Sequence, residues 1–311
     1  MARIFFRRTS PEFRSVRGQA IARIQQVLDG DGLLEKGVDG RFGADTEQAL
    51  RRFQEANRLP QSGAIDLDTW RLALYEEAPA LFDRCLQLTA DFEGHGFGLA
   101  QGNFDGAGLT WGVIGFTLAH GEIGGIVDDA DAIDRALVDD AFGALAPELR
   151  RKLSLPRTER VAWGDSISLG PRKTGVAPPW SAAFRSFGEK APVQRLQTDR
   201  ARRYWRDALR IVDAYEIPGE LGHALAFDIA VQNGGIDAAE AEEIGRRLAG
   251  AGAAGQRQTR EVIANVVAEN SAARWVEDVR RRKLAIAQGE GVVHEAKYRL
   301  RDWGLEEAEV A

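Results

Sequence analysis

Apolar residues recur every three or four positions over most of the chain, and this spacing predicts amphipathic helices. In the first 75 residues the pattern predicts three short helices, around residues 20–28, 46–53 and 67–74. An Asp-Gly-Asp-Gly run ends the first helix, and Asp66 is placed to cap the third. Three helices of this length enclose a very small core, so we expect this part to serve as an accessory module.

The remaining residues continue the helical pattern but contain one glycine-rich interruption. Helices are predicted over 80–93 and over 221–231, and the second is expected at the centre of the fold because it is apolar on nearly every side. Residues 94–115 hold eight of the chain's 34 glycines, which indicates turns, and residues 109–116 favour a short strand or hairpin arm. Residues 164–193 contain prolines and glycines and are predicted to form a long loop.

These patterns predict a mainly α (α+β) fold, in which a small three-helix bundle precedes a helical domain with a small β lobe. Charge indicates where the two parts meet. Residues 1–75 contain 12 basic and 10 acidic side chains, whereas residues 76–311 contain 29 and 37. The change falls near Pro79, and proline closes one helical pattern and opens the next. We therefore predict two domains, 1–77 and 78–311.

Composition argues against several classes of protein. Cys85 is the single cysteine and the four histidines form no HExxH pair, so we expect no disulfide within the chain, no metal and no other cofactor. The net charge of −6 argues against nucleic acid as a partner. No run approaches the roughly 18 apolar residues of a membrane span, and no secretory signal is visible. We expect a monomer that is synthesised in the cytoplasm and does not insert into a membrane.

The first 75 residues carry a motif that resembles a known module. Its elements are Ile24-Gln25, Leu28, Asp39-Gly40-Arg41-Phe42-Gly43, Thr46, Phe53-Gln54, Gly63, Asp66 and Thr69-Trp70. This pattern resembles the three-helix peptidoglycan-binding domain and implies a module that binds the bacterial cell wall. From the residues themselves, we expect Gly40 and Gly43 to allow a tight turn and Thr46 to cap the following helix. Phe53 and Trp70 supply core volume.

Two carboxylates flank the glycine-rich segment. Glu93 lies at the end of a predicted helix, and Asp105 lies in the turn before the predicted strand. Glycoside hydrolysis needs such a combination, with one carboxyl group kept protonated by partial burial and a second one ionised. Nucleotide binding is not favoured, because neither GxGxxG nor GxxxxGK[ST] occurs within residues 94–115.

The residues around these carboxylates carry a second resemblance. Phe92-Glu93, the run Asp105-Gly106-Ala107-Gly108-Leu109-Thr110-Trp111-Gly112-Val113-Ile114-Gly115-Phe116, and Gly121-Glu122 are its most specific parts. They resemble the active-site segment of family 46 chitosanases and their lysozyme-like relatives. Weaker similarity extends over roughly residues 80–305. Ala107, where chitosanases often carry arginine, and the short interval between the two carboxylates depart from the chitosanase pattern.

The resemblance implies an inverting acid/base mechanism. Glu93 is expected to be the general acid, Asp105 the general base, and Thr110 a residue that holds the attacking water. Inverting enzymes keep the two carboxyl groups about 6.5–9.5 Å apart so that this water fits between them. We assign Glu122, Trp111 and Asn233 to substrate binding. Glu122 matches an acidic residue by which chitosanases recognise glucosamine, although a carboxylate at a helix start is an equally good interpretation.

Asp228 is expected to belong to a supporting network. It lies in a helix so apolar that an unpaired carboxylate would cost several kcal/mol. Its partner is predicted to be an arginine among Arg280, Arg281 and Arg282, and Arg280 and Arg282 are our assignments. The resemblance places this network beside the acid, where it would tune Glu93. A purely structural ion pair is the alternative.

Together these features predict a glycosidase that cleaves β-1,4 bonds of a hexosamine polymer. The wall-binding module favours peptidoglycan as the substrate and an endolysin-like or muramidase-like role. With no signal peptide visible, the protein is expected to act at the cell wall after release or export. Two alternatives remain at this point: a chitosanase that acts on chitosan, and an inactive wall-binding protein that kept the fold.

Overall fold

The computed structural model describes residues 3–94, 96–251 and 255–307, and it is mainly helical with small antiparallel sheets, as predicted. Its α-helices are α1 (Gln19–Gly30), α2 (Ala44–Ala56), α3 (Leu67–Leu74), α4 (Leu81–Phe92), α5 (Glu122–Ile133), α6 (Ala136–Phe142), α7 (Ala146–Leu153), α8 (Arg157–Ser166), α9 (Pro178–Glu189), α10 (Ala191–Ala214), α11 (Glu220–Asn233), α12 (Ala238–Ala251), α13 (Gln256–Glu269) and α14 (Val276–Gln288). Short 3-10 helices cover Gly143–Leu145 and Leu300–Trp303.

The strands are short and pair locally, with one exception. They are β1 (Ile4–Phe6), β2 (Ile65–Asp66), β3 (Ala100–Gln101), β4 (Thr110–Trp111), β5 (Phe116–Thr117), β6 (Ser168–Leu169), β7 (Gly175–Val176), β8 (Glu290–Val293) and β9 (Ala296–Arg299). The sheets are β1-β2, β3-β4-β5, β6-β7 and β8-β9, all antiparallel. Among the strands of the described residues, only the β1-β2 pair joins segments that are far apart in the sequence.

The chain forms two compact units. The terminal unit combines residues 1–89 with 204–311, and the inserted unit is the continuous stretch 90–203. The unit boundaries lie within helices α4 and α10. The division into 1–77 and 78–311 stays a prediction. Within the described residues, no helix is both long enough and apolar enough to cross a bilayer.

Helices α1 to α3 follow the predicted positions, and their core includes the predicted Phe53 and Trp70. The buried amide of Gln25 donates to Asp39 Oδ1 at 2.9 Å and accepts from the backbone N–H of Gly40 at 2.7 Å, which fixes the turn between α1 and α2. Gly40 has a φ of 70°, so this position requires a glycine. Asp66 caps α3 as predicted, because its side chain accepts from the N–H of Thr69 at 2.8 Å.

Two expectations for this region were wrong. Gly43 has an extended backbone, with a φ of −92°, so its position does not depend on glycine. Gly43 is also the N-terminal cap of α2, and Thr46 lies inside the helix. The Thr46 side chain is buried, accepts from the Gln25 amide at 2.9 Å and donates to the carbonyl of Arg41. It therefore joins the polar network around the turn.

The rest of the terminal unit packs around α11, which is buried from Glu220 to Ala230, as the sequence predicted for the central helix. The segment before α1 connects distant parts of the unit. Its strand β1 pairs with β2, while the N–H groups of Arg7 and Arg14 donate to the carbonyls of Asp302 and Lys297. The two ends of the chain are thus joined through backbone hydrogen bonds within one unit.

The inserted unit combines helices α5 to α9 with the β3-β4-β5 sheet and the β6-β7 hairpin. An aromatic cluster fills its core. The ring centroid of Trp111 lies 5.4 Å from that of Phe187 and 5.6 Å from that of Phe184. Two of these three rings belong to α9, which lies where a long loop was predicted. That prediction was wrong for 178–189, because proline is well tolerated in the first turn of a helix and the apolar residues after Pro178 and Pro179 have helical spacing.

Candidate active site

The glycine-rich segment begins where α4 ends. Glu93 follows the last residue of α4, as predicted, and its side chain is half-buried. Gly94 has a φ of 66°, a left-handed backbone that only glycine adopts readily, and it turns the chain out of the helix. The carboxyl group of Glu93 therefore lies at a helix end, beside the glycine-rich segment and partly shielded from solvent.

Asp105 lies in the loop between β3 and β4 and is exposed to solvent. Its Oδ1 accepts from the backbone N–H of Ala107 at 2.9 Å, which makes a local turn. Among the described residues, Oδ2 accepts no hydrogen bond. An exposed carboxylate oxygen in this position can accept a proton from water.

The β3-β4-β5 sheet presents one polar and one apolar face. Thr110 faces Gln101 on one side and Thr117 on the other, so these three side chains form a row on the same face. The opposite row consists of Ala100, Trp111 and Phe116, and its two aromatic side chains are fully buried. The alternation along β4 therefore separates Thr110, on the polar face, from Trp111 in the core.

The hydroxyl group of Thr110 is the most informative atom of this sheet. The residue is 5% exposed, and its Oγ1 is buried without a hydrogen-bond partner among the described residues. A hydroxyl group in an interior normally finds a partner, because leaving it unpaired costs about 1–3 kcal/mol. Such an atom is suited to hold a water molecule or a substrate hydroxyl group, since it both donates and accepts.

Asn103 anchors the loop that carries Asp105. Its backbone N–H donates to Ser168 Oγ at 2.9 Å, its amide donates to Asp165 Oδ1 at 2.7 Å, and its Oδ1 accepts from the N–H of Gly108 at 2.8 Å. Lys173 forms an ion pair with Asp165. The hydrogen bonds from Lys173 and Asn103 lower the pKa of Asp165, which therefore stays ionised as an anchor. This anchor was not predicted from the sequence, because residues 164–193 were expected to form a long loop without defined contacts.

Two of the predicted substrate-binding residues have other contacts in the inserted unit. Trp111 has no exposed surface, and its indole N–H donates to the carbonyl of Phe184 at 3.0 Å. The assignment of Trp111 to substrate binding is therefore corrected to a core role. Glu122 begins α5, and its Oε2 accepts from the N–H of Thr117 at 3.2 Å. This contact agrees with the interpretation of Glu122 as a helix-start carboxylate.

Asp228 lies at the centre of an ion network in the terminal unit. Its carboxylate is fully buried and accepts from Arg282 Nη2 at 2.6 Å and from Lys283 Nζ at 2.5 Å. Thr89 Oγ1 adds a hydrogen bond at 3.3 Å. Burial by itself raises the pKa of Asp228, but the charges and hydrogen bonds of Arg282 and Lys283 lower it to about 2. Asp228 is thus a stably ionised residue, as expected from its apolar helix.

The partner left open by the sequence is Arg282. Arg280 was assigned to the same network, but it pairs with Glu277 at 3.2 Å and Glu269 at 3.7 Å, and Arg281 is exposed. The assignment of Arg280 was therefore wrong, because its side chain leaves α14 on another side than that of Arg282. Lys283 is a second partner that was not predicted from the sequence. Its position in an otherwise apolar helical turn, before Ala285 and Ile286, indicates a buried lysine that needs a charged partner.

The predicted residues thus fall into two groups. Glu93, Asp105, Thr110, Trp111 and Glu122 belong to the inserted unit, whereas Asp228, Arg280, Arg282 and the exposed Asn233 belong to the terminal unit. A role of the Asp228 network in tuning Glu93 stays a prediction. Within 3–94, 96–251 and 255–307, no group of three or more histidine, cysteine, aspartate or glutamate side chains is arranged to hold a metal ion.

Comparison with known proteins identifies the module that contains α1 to α3. Residues 17–72 match the family described as "Putative peptidoglycan binding domain". The match agrees with the resemblance seen in the sequence, supports peptidoglycan binding by this module and implies association with the cell wall. No curated protein and no solved structure matches the chain significantly.

Proposed function

We propose that the protein is a glycoside hydrolase that cleaves β-1,4 bonds of peptidoglycan, with residues 17–72 as its wall-binding module. The unpartnered, buried hydroxyl group of Thr110 is the observation that carries this proposal. It lies on the central strand of a sheet whose β3-β4 loop holds the exposed carboxylate of Asp105. A hydroxyl group and a free carboxylate oxygen are the two groups needed to bind and deprotonate a water molecule.

In the proposed reaction the half-buried Glu93 donates its proton to the oxygen of the leaving sugar. Asp105 removes a proton from water, which Thr110 orients, and this water attacks the anomeric carbon from the opposite side. Inversion at the anomeric carbon follows, since no covalent intermediate forms. At the end of the cycle Asp105 is protonated and Glu93 is ionised, and exchange with solvent restores both.

Peptidoglycan is the favoured substrate for two reasons. The match of residues 17–72 places a wall-binding module on the same chain, and a tethered module raises the local concentration of its own polymer. Glu122, the residue expected to recognise the glucosamine ammonium group of chitosan, uses one carboxylate oxygen to accept the N–H of Thr117. The protein would act at the cell wall after release or export.

The test is reducing-end release from purified peptidoglycan and from chitosan by the wild type and by Glu93→Gln and Asp105→Asn. We expect release from peptidoglycan alone, and a loss of roughly 100-fold or more in either variant, because each substitution removes one proton-transfer group. Glu242→Gln, a change at an exposed position of α12 outside residues 17–72, serves as a control that should keep full activity.

The other outcomes distinguish the alternatives. Release from chitosan alone would identify a chitosanase and leave the wall-binding module without a role in substrate choice. No release from either polymer by a folded wild-type chain that still sediments with insoluble peptidoglycan would identify a wall-binding protein without catalysis. Equal activity of wild type, Glu93→Gln and Asp105→Asn would overturn the assigned acid and base.

A further inference from the structure

The loop that carries Asp105 also exposes an aromatic ring. Phe104 is 49% exposed, whereas every other phenylalanine and tryptophan side chain in the described part of the inserted unit is buried or half-buried. Most of these rings, Trp111 among them, belong to the core. Exposure of a phenyl ring to water is unfavourable by about 25 cal/mol per Å² of apolar surface. The exposed ring of Phe104 therefore does not stabilise the folded loop.

The backbone around Phe104 is fixed by hydrogen bonds. The N–H groups of Gly102 and Phe104 donate to the carbonyls of Thr174 and Gly102, and those of Asn103 and Gly108 bond to Ser168 and Asn103 side chains. A Cβ atom at Gly102 would lie 2.4 Å from the carbonyl oxygen of Lys173. The loop therefore packs tightly against the β6-β7 hairpin and presents Phe104 without a large loss of conformational entropy on binding.

Other exposed apolar side chains lie on the same two structural elements. Within the described part of the inserted unit, the exposed large apolar side chains are Leu99, Phe104, Ile133 and Leu169. Leu99 directly precedes β3, and Leu169 follows the Ser168 that bonds to Asn103. Three of the four thus belong to the segments joined by the Asn103 anchor, beside the proposed base, and only Ile133 lies elsewhere.

We propose that Phe104 is a sugar-binding platform, on which the apolar C–H face of a pyranose ring of the hexosamine polymer stacks. A pyranose ring has such an apolar face and a rim of hydroxyl groups, so it fits a flat ring flanked by carboxylate and amide oxygens. The adjacent Asp105 would place this sugar next to the bond that is cleaved. This inference rests on the proposed function, since it identifies the substrate-contacting aromatic residue of that same site.

The charge around the ring favours a sugar over a protein partner. Asp105 follows Phe104 directly, Asp165 is ionised in the anchor, and the exposed large apolar side chains described for these segments are limited to Leu99, Phe104 and Leu169. A stable protein interface buries about 800 Å² on each side and needs a larger apolar centre. A small aromatic surface with a few polar groups is typical of a site for a small polar ligand.

The experiment measures glycan binding at this loop separately from binding at residues 17–72. Full-length Glu93→Gln, which does not degrade the probe, is titrated with soluble glycan strands released from peptidoglycan by an amidase. Hydrogen exchange of peptides that cover residues 96–119 then gives a dissociation constant for the inserted unit. The same titration is carried out with Phe104→Ala, Phe104→Trp and, as the control, Ile133→Ala in the Glu93→Gln background.

We expect Phe104→Ala to weaken binding at 96–119 roughly 5- to 10-fold, Phe104→Trp to retain it, and Ile133→Ala to leave it unchanged, because an aromatic contact is replaced only by another ring. In the active chain, Phe104→Ala should raise KM by a similar factor. Unchanged protection in Phe104→Ala, or no protection of 96–119 in the parent chain, would overturn the proposal. Loss of binding in Phe104→Ala together with an inactive wild type would retain the platform and refute the hydrolase.

Discussion

Thr110 is a polar residue kept in a place where an apolar one would be more stable. Thr117, its neighbour in the row across the sheet, has a hydrogen-bond partner, because Thr117 Oγ1 lies 2.8 Å from His120 Nδ1. Thr110 Oγ1 has no partner in the described part of the chain. A cost of this kind is common at functional sites, where stability is lost for activity.

This difference gives a prediction for Thr110→Val. Removal of the unpaired hydroxyl group should raise the free energy of unfolding by about 1 kcal/mol, because the valine leaves no buried polar atom without a hydrogen-bond partner at this position. The same change should lower kcat roughly 100-fold, since the attacking water loses its orientation. Denaturant unfolding and reducing-end release measure the two effects. Thr117→Val, which breaks an existing hydrogen bond, should be slightly destabilising, and a destabilised Thr110→Val would show that the hydroxyl group has a structural partner.

At the scale of elements, the β6-β7 hairpin and helix α9 support the candidate site although both lie in a stretch predicted to be loop. The hairpin segment holds the β3-β4 loop through Ser168 Oγ and the carbonyl of Thr174, which accept from the N–H groups of Asn103 and Gly102. Helix α9 supplies Phe184 and Phe187, against which Trp111 packs. The proposed base therefore depends on an element more than 60 residues further along the chain, as the bond between Asn103 and Asp165 shows.

Gly102→Ala tests this dependence. A Cβ atom there would lie 2.4 Å from the carbonyl oxygen of Lys173 and 2.5 Å from that of Gly175, so the loop and the hairpin must separate. We expect a fall of roughly 100-fold in kcat, because a small displacement of a catalytic group has such an effect. Gly96→Ala, where the added Cβ meets nothing within 4 Å, should retain activity. Equal activities of the two variants would show that the hairpin does not position Asp105.

At this scale, the features predicted correctly were those that depend on residues close to one another in the sequence. Asp66 as a cap, the end of α4 near residue 93 and the apolar α11 follow from neighbouring residues, and all three were confirmed. The errors concern residues whose role depends on a distant partner. Trp111 was assigned to substrate binding, yet its partners on α9 bury it. Phe104 has no such partner, and nothing in the composition of the segment distinguishes the two rings.

At the scale of the whole molecule, the terminal unit is stabilised by buried ions as well as by apolar residues. Asp228, Arg282 and Lys283 connect α11 with α14, and Thr89 links them to α4. A second group lies near the chain ends, where the buried Glu220 accepts from Arg84 at 2.9 Å and Arg84 donates to the carbonyl of Gly304. Removing one member of such a group leaves an uncompensated buried charge.

The pKa of Asp228 gives a pH prediction with a defined sign. Its value of about 2 lies below the ordinary 3.8, so the stabilisation is complete above pH 3.8 and is lost as the pH falls towards 2. The difference corresponds to roughly 2 kcal/mol. Asp228→Asn should remove this part of the acid sensitivity and cost about 3–5 kcal/mol at neutral pH. Thermal unfolding between pH 2 and 7 measures both.

The control for this prediction is Asp278→Asn, on the same helix α14 as Arg282. Asp278 is partly exposed and lies 3.3 Å from His294, so its loss should change the melting temperature little. If Asp228→Asn melts at the same temperature as the wild type at neutral pH, the network does not stabilise the terminal unit. Of the arginines assigned to this network from the sequence, Arg282 was correct and Arg280 was wrong, since the direction of a charged side chain depends on which face of α14 is covered.

The hydrogen bonds from Arg7 and Arg14 to Asp302 and Lys297 have a consequence for the order in which the protein matures on the ribosome. The inserted unit is complete once residue 203 has been translated, whereas the terminal unit needs the last strands of the chain. At about 5–20 residues per second, the interval between the two events is roughly 5–20 seconds. During that time helices α1 to α3 are already present but β1 lacks its later neighbours. A prematurely ended chain would therefore carry a finished inserted unit and an incomplete terminal unit.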